Sequence, residues 1–89
     1  MKAIRYRVTG RVQGVGFRVY LRRVAEFLAL SGHVRNDGDG SVTGRAQGSD
    51  EAIERLIAAL HRGPPTAIVI HLSVDLDKPD DATEFTIRG

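Results

Sequence analysis

The segment GRVQGVGFR, Gly10 to Arg18, has glycines and an arginine spaced in a way that suits anion binding. Gly10, Gly14 and Gly16 can adopt positive φ angles, so successive backbone amides can turn inward and form a nest for an anion. A helix beginning after this loop would add its positive N-terminal end, and Arg18 lies close enough to reach the same anion. A strand-to-helix turn that needs glycine only for steric reasons would have the same spacing, so spacing alone favours neither interpretation.

Asn36 is the second residue whose position suits chemistry. It ends a predicted strand and opens a turn in GHVRNDGDGSV, Gly32 to Val42. Its side-chain carbonyl can accept a hydrogen bond from a water molecule while its NH₂ group donates elsewhere, but it cannot act as a base. Asparagine is also common at turns for structural reasons. Asp37 and Asp39 lack the twelve-residue ligand set of a calcium loop, and we interpret them as turn residues.

Several kinds of site are excluded by what the chain lacks. It has no cysteine, which excludes thiolate nucleophiles and cysteine-ligated metal centres. No Ser/His/Asp constellation is visible, so covalent catalysis has no evident nucleophile. The glycine loop has no Gly-Lys-Ser/Thr for a Walker A motif, and Val19 stands where a dinucleotide fingerprint needs its third glycine. The three histidines, which show no metal-ligand spacing, are His33, His61 and His71.

Charge is distributed unevenly along the chain, although the net charge is only +2. Residues 1–35 carry eight basic side chains and one acidic one, whereas residues 36–89 carry five basic and ten acidic side chains. This asymmetry suggests an anionic partner for the N-terminal half. We interpret most of the eleven arginines as solvated surface residues.

The length of 89 residues limits the architecture to one domain, residues 1–89, with one small core and a shallow site. No apolar run approaches a membrane span, and the N-terminus has no stretch long enough for a signal peptide. We therefore expect a cytoplasmic location.

Two helices are predicted from apolar residues at spacings of three and four. The first follows the glycine loop, and Gly32 stands where a helix C-terminal glycine belongs. Its apolar stripe consists of Leu21, Val24, Phe27 and Leu28. The second begins at Ser49, which can cap it, and ends at Gly63. Its apolar stripe consists of Ile53, Leu56, Ile57 and Leu60.

Strands are predicted from alternating apolar and polar residues. Residues 3–8 alternate, and residues 33–35 and 41–47 flank the turn formers NDGDG. Residues 67–76 alternate again, and residues 84–88 form a short last strand. The apolar side chains expected to face inward from these last two strands are Ile68, Ile70, Leu72, Val74, Leu76, Phe85 and Ile87.

The order strand, helix, strand, strand, helix, strand, with a short strand appended, indicates an α+β fold. We expect a ferredoxin-like βαββαβ sandwich: an antiparallel sheet with two helices on one face and a short extra C-terminal strand. Such a fold hosts many unrelated functions, so the function depends on the site.

The glycine loop and the Asn36 segment together closely resemble the two signatures of the acylphosphatase family. The first signature, Gly-x-Val-Gln-Gly-Val-x-Phe-Arg, is matched at Gly10, Val12, Gln13, Gly14, Val15, Phe17 and Arg18. The second is matched at Gly32, Val34, Asn36, Gly40, Val42 and Gly48. The resemblance spans essentially the whole chain, including GPPTAIV and the closing FTIR. One departure is His33, which stands where the family usually has an aromatic ring.

The resemblance implies hydrolysis of the carboxyl–phosphate bond of acyl phosphates, to carboxylate and inorganic phosphate, without a metal or cofactor. It also implies that Arg18 and Asn36 are catalytic, with Arg18 binding phosphate and Asn36 positioning the attacking water. The implied phosphate cradle consists of the backbone amides of Gln13, Gly14, Val15, Gly16, Phe17 and Arg18. The chemistry is consistent with this, because an acyl phosphate has a good leaving group and needs mainly a held phosphoryl group and an in-line water.

Two other interpretations stay open. The chain could be a non-catalytic phosphate- or nucleic-acid-binding module on the same fold, which the basic N-terminal segment favours. RNA binding by such a sheet needs exposed aromatic rings, however, and three of the five aromatic residues fall in the loop or a helix. The chain could also be a specialised or non-catalytic relative, because acylphosphatase-like domains occur inside larger carbamoyl-transfer proteins.

We expect a free-standing protein, because the chain begins with methionine and ends after its last predicted strand. Its expected partner is a small-molecule acyl phosphate, with no nucleic acid and no membrane. We expect a monomer, because no exposed heptad and no long apolar edge is visible in the sequence.

Overall fold

A computed structural model describes all residues, 1–89, and contains two helices and five strands. The strand and helix order is the predicted one. The elements are β1 (Lys2–Arg11), α1 (Phe17–Phe27), β2 (Ser31–Asn36), β3 (Val42–Gly48), α2 (Asp50–Arg62), β4 (Ile68–Asp77) and β5 (Phe85–Arg88). No helix has both the length and the apolar character that a membrane crossing requires.

The five strands form one sheet in the order β4-β1-β3-β2-β5. β1 pairs antiparallel with β3 and β4, and β2 pairs antiparallel with β3, as expected for a ferredoxin-like fold. The appended strand, for which the sequence predicted no direction, runs parallel to β2, so the sheet is mixed. After β4 the chain crosses to the opposite edge of the sheet, where the neighbouring strand β2 runs in the same direction as β5.

The core lies between the sheet and the two helices. β1 directs Ile4, Tyr6 and Val8 into it, all at most 3% exposed, as the alternation predicted. Both helices also bury one stripe of side chains each. The buried helical residues are Phe17, Leu21, Ala25, Ala52, Ile53, Leu56 and Leu60.

The end of α1 differs from the prediction. Phe27 was expected in the buried stripe but is 85% exposed. It lies six residues beyond Leu21, which at about 100° per residue places it roughly 120° around the helix from that buried side chain. Gly32 does not end this helix. The residue in the left-handed region directly after α1 is Ala29, with φ at 56°. Gly32 lies in β2, with φ at 141°, where a Cβ would collide with the backbone of Arg45.

β4 also differs from its predicted burial. Ile68, Ile70 and Leu76 were expected to face the core but are 58%, 77% and 73% exposed. β4 is an edge strand, and its pairing with β1 shifts register between Thr9 and Gly10, which leaves Ile70 without a partner in the ladder. The chain therefore has a long, partly apolar edge, contrary to the expectation from the sequence.

Candidate active site

The glycine loop connects β1 to α1 and is held at both ends by core residues. Val12 and Phe17 are each 1% exposed, whereas the residues between them lie nearer the surface. Gly14 and Gly16 have φ angles of 72° and 77°, in the left-handed region that glycine adopts most easily. The loop therefore turns sharply between two buried anchors.

The backbone amides of this loop are unused within the protein. No N–H group from Gln13 to Val19 donates a hydrogen bond to another protein group. These N–H groups belong to one tight turn and to the first turn of α1. The N-cap of α1 is Gly16, which supplies no side-chain cap, and the first turn has no acidic residue. Such a group of free donors at the positive end of a helix can bind an anion.

Arg18 lies in the first turn of α1, beside these amides. Its Nη1 donates to the carbonyl oxygen of Gly89 at 2.8 Å, which orients the side chain toward the end of β5. A small cavity of about 100 Å³ is lined by the glycine loop, Arg18 and Asn36. Its position suits a small anion held against the loop amides.

Asn36 is the last residue of β2, opposite Val42 of β3. Its Oδ1 atom is buried and has no hydrogen-bond partner in the protein. Buried polar atoms are nearly always paired with protein or with water, so this acceptor is available to a molecule in the cavity that Asn36 lines. A water molecule bound there would donate to Oδ1 and keep its lone pairs free.

The Gln13 side chain has a different set of contacts from the loop backbone. Its Nε2 donates to the carbonyl oxygens of Asp37 at 2.7 Å and Ser41 at 2.9 Å. Both protons of the amide are therefore engaged by the β2–β3 turn, and only the backbone N–H of Gln13 faces no protein acceptor. The sequence pattern contained Gln13 but gave no sign of this side-chain contact.

The acidic residues of the turn accept hydrogen bonds from neighbouring side chains of the turn, β1 and β3. Asp37 accepts from the Thr43 hydroxyl, and Asp39 accepts from the Ser41 hydroxyl and from Arg7. These hydrogen bonds, first that of Ser41 and then that of Arg7, hold the pKa of Asp39 well below its usual value. No group of three or more histidine, cysteine or acidic side chains is arranged to share a metal ion.

Thr66 is a supporting residue that the sequence did not reveal. Its hydroxyl donates to the carbonyl oxygen of Val15 at 3.2 Å, so the segment after α2 contacts the middle of the glycine loop. In the sequence, Thr66 follows two prolines. That position indicates the end of a helix, but it does not indicate a contact with the glycine loop.

A family model described as acylphosphatase matches residues 4–87, which is nearly the whole chain and includes all of the residues above except Gly89. The chain belongs to the acylphosphatase family. The chain is 50% identical over 88 residues to the acylphosphatase of Salinibacter ruber, covering 98% of the chain and 93% of the relative. It is 46% identical over 88 residues to that of Thermotoga maritima, covering 99% and 98%.

A crystal structure of acylphosphatase from Bacillus subtilis superposes on the whole chain with a TM-score of 0.97 and 34% identity, covering 100% of both chains. The predicted family, the ferredoxin-like α+β fold and the acylphosphatase enzyme class are thereby confirmed.

A nucleic-acid-binding module is not favoured. The rings that an RNA-binding sheet would expose are absent from its open face, since Tyr6 and Phe85 are 3% and 4% exposed.

His33, the one residue noted as departing from the family signature, lies on the other side of the sheet from the cavity. Side chains alternate along β2, so His33 faces the open side, opposite to the face of Asn36. Burial, followed by the charges of Arg88, Arg45 and Arg35, lowers the pKa of His33 and favours its neutral form. The replacement of an aromatic residue by His33 therefore does not alter the lining of the cavity.

Proposed function

We propose a mechanism for the hydrolysis of acyl phosphates by this protein. The activity itself is supported by its membership of the acylphosphatase family and by its named relatives. The phosphoryl group binds in the cavity of about 100 Å³, held by the free amides of Gln13 to Arg18 and by the Arg18 side chain. The observation that carries this proposal is the run of N–H groups from Gln13 to Val19 that have no protein acceptor.

Phosphoryl transfer needs positioning and charge stabilisation more than it needs a reactive side chain. Backbone amides and a guanidinium supply donors where negative charge builds up in the transition state. Arg18 suits this role, because a guanidinium stays charged and can donate to two oxygens at once. Its bond to Gly89 holds the side chain before substrate arrives.

Asn36 binds the attacking water through its unpartnered Oδ1 atom. The water oxygen attacks phosphorus, and the bond from phosphorus to the acyl oxygen breaks on the opposite side. The carboxylate leaves with the bonding electron pair and needs no proton. An asparagine cannot remove the water proton, so in this proposal the proton passes to a phosphate oxygen of the substrate.

The mechanism predicts large losses of activity in two variants. We expect Arg18→Ala to lower turnover of benzoyl phosphate by about 10³–10⁵-fold, the range that arginines at transferred phosphoryl groups supply. We expect Asn36→Ala to lower kcat by at least about 10²-fold, because the water loses its orientation. Both assays are run with EDTA present, and Arg23→Ala, on an exposed face of the same helix, is the control that should keep wild-type turnover.

Near-full turnover in Arg18→Ala would remove Arg18 from the site. A folded wild type that binds phosphate but hydrolyses no acyl phosphate would leave only the binding-module interpretation. Loss of wild-type turnover on adding EDTA would overturn the expectation of metal-independent catalysis.

We further propose that residues 1–89 act as one domain on a free small molecule in the cytoplasm, without nucleic acid or membrane. The small pocket that Arg18 and Asn36 line suits a small-molecule substrate. A monomer stays a prediction. The exposed edge of β4 is the feature that bears most directly on it, because a free strand edge can pair with another chain.

A further inference from the structure

We propose that the Gln13 side chain is a positioning residue that sets Asn36 against the phosphate cradle. This inference rests on the proposed function and concerns the same site. It assigns the Gln13 side chain to the geometry of the attacking water and leaves phosphate binding to the backbone amide of the same residue.

The contacts of Gln13 join the two halves of the site. Its Nε2 donates to Asp37 at 2.7 Å and to Ser41 at 2.9 Å, the carbonyls that stand at the two ends of the β2–β3 turn. Asp37 directly follows Asn36 in the chain. The hydrogen bond from the Gln13 side chain to the Asp37 carbonyl therefore determines how far the end of β2 lies from the glycine loop.

No other side-chain hydrogen bond links residues 12–16 to residues 37–41. The turn is stiffened internally by backbone and side-chain bonds, including Asp37 N–H to Ser41 at 2.9 Å and Ser41 N–H to Asp39 at 2.9 Å. The turn therefore moves as a unit, and the amide of Gln13 is the polar contact that sets its place relative to the loop.

Loss of this contact should affect catalysis and phosphate binding differently. The free backbone N–H groups of the loop do not depend on the Gln13 side chain, since glycine torsion angles and the buried anchors Val12 and Phe17 hold the loop. Asn36, however, would lose its fixed distance from the cradle. Misplacement of a reacting group by about 1 Å can cost about 10²-fold in rate.

The chain offers a matched control in Gln47. Its Nε2 also donates to two backbone carbonyls, those of Asp80 at 3.0 Å and Ala82 at 3.3 Å. Gln47 lies at the opposite end of β3 from Val42, so its amide holds the connection between β4 and β5 and not the site. Replacing either glutamine by methionine removes two hydrogen bonds to carbonyl groups and keeps the side-chain length. At Gln47 the replacement also removes the hydrogen bonds that Oε1 accepts from the Asp80 N–H at 2.8 Å and from Arg45, so the control loses more polar contacts than Gln13→Met does.

The test compares Gln13→Met and Gln47→Met in benzoyl phosphate hydrolysis, in inhibition by inorganic phosphate and in urea unfolding. We expect Gln13→Met to lower kcat by about 10²-fold, with the inhibition constant for phosphate within about threefold of wild type. Gln47→Met should lose stability and keep its kcat. Gln13→Lys restores donors toward the two carbonyls and should recover part of the lost kcat.

Wild-type kcat in Gln13→Met, a parallel loss of phosphate inhibition, or a Gln13→Lys variant as slow as Gln13→Met would each overturn the inference. Failure of the proposed function looks different, because the wild type itself would then not hydrolyse benzoyl phosphate. An active wild type with an equally active Gln13→Met variant contradicts only the positioning role.

Discussion

Single residues in this site act through backbone conformation as much as through side-chain chemistry. Gly14 and Gly16 have open space where a Cβ would lie, so their glycines are required for the positive φ angle alone. Gly10 is different, because a Cβ there would collide with the backbone of Ile68. The same signature thus contains glycines for two physical reasons, a positive φ angle and a close approach of another strand. Only the positive φ angle concerns the proposed anion cradle.

Gly16→Ala is expected to lower activity more than stability. A non-glycine residue in the left-handed region costs about 1–2 kcal/mol, and the loop can relieve this cost by turning its amides away from the cavity. We expect weaker inhibition by inorganic phosphate and slower turnover, measured beside urea unfolding. Gly38→Ala, where φ is not positive and the space is also open, should change neither quantity. Unaltered phosphate inhibition in Gly16→Ala would contradict the role of the loop conformation.

Residue types and spacing predicted which side chains could form the site, but not what holds them. Arg18 and Asn36 were named from the sequence, and both line the cavity. The contacts that orient this site join residues far apart in the chain: Gln13 with Ser41, Thr66 with Val15, and Arg18 with Gly89. Local patterns contain no information on such pairings, which depend on how the sheet brings distant segments together.

At the scale of whole elements, the two helices differ in whether their N-terminal N–H groups are capped. α2 is capped by Ser49, whose side chain accepts from the Ala52 N–H at 3.1 Å, and its first turn carries Asp50 and Glu51. α1 has neither feature. The Ser49 cap satisfies one of the N-terminal donors of α2, whereas those of α1 have no protein acceptor.

Removing the cap of α2 should therefore affect stability alone. We expect Ser49→Ala to lower the free energy of unfolding by about 1 kcal/mol, the usual effect of losing an N-cap. Its kcat and KM for benzoyl phosphate should equal those of wild type, because α2 does not line the cavity. Urea unfolding and steady-state kinetics on the same preparation check both statements. A changed kcat would mean that the end of α2 communicates with the site.

Element types could be predicted from the sequence more fully than burial. Alternation and helical spacing identified all seven elements, and the Ser49 cap and the Gly63 helix end are confirmed. The pattern could not show that β4 lies at an edge, nor that the register shift beside Ile70 places Val69, rather than Ile68 or Ile70, against the core. Nor could it show the direction of β5, which depends on where the chain crosses the sheet.

The fold as a whole redistributes the charge asymmetry of the chain. Arginines of the basic N-terminal segment pair with acidic residues from the rest of the chain, as in Arg7 with Asp39 at 2.7 Å and Arg35 with Asp37 at 2.9 Å. The asymmetry of the sequence is therefore partly neutralised on the molecular surface. It is a weaker indication of an anionic partner than the free amides of the loop.

The acidic members of this surface network make stability depend on pH. The pKa values of Asp39, Asp77 and Asp80 all lie below the ordinary value of 3.8. The main causes are hydrogen bonds from the Ser41 hydroxyl to Asp39, from the backbone of Lys78 to Asp77, and from the backbone of Ala82 to Asp80. Because each carboxylate binds its proton more weakly in the folded state, the unfolded chain takes up protons first as the pH falls.

We therefore expect the contribution of these three carboxylates to be complete above about pH 5 and to fall as the pH drops through their unfolded and then their folded pKa values. His33, whose pKa is also lowered in the folded state, adds a separate fall in stability that begins below about pH 6.5. Thermal unfolding between pH 7 and pH 2 measures both falls, and the one due to the carboxylates should be less steep in Asp39→Asn. The carboxylate of Asp81 takes part in no hydrogen bond or ion pair in the structure, so Asp81→Asn should keep the wild-type slope. Asp39 and Asp80 are about half exposed, so added salt should reduce the contribution of their arginine partners and leave that of the backbone and Ser41 donors. Equal slopes in wild type and Asp39→Asn would show that the β2–β3 turn does not depend on this charge, and that its backbone bonds suffice to hold the end of β2.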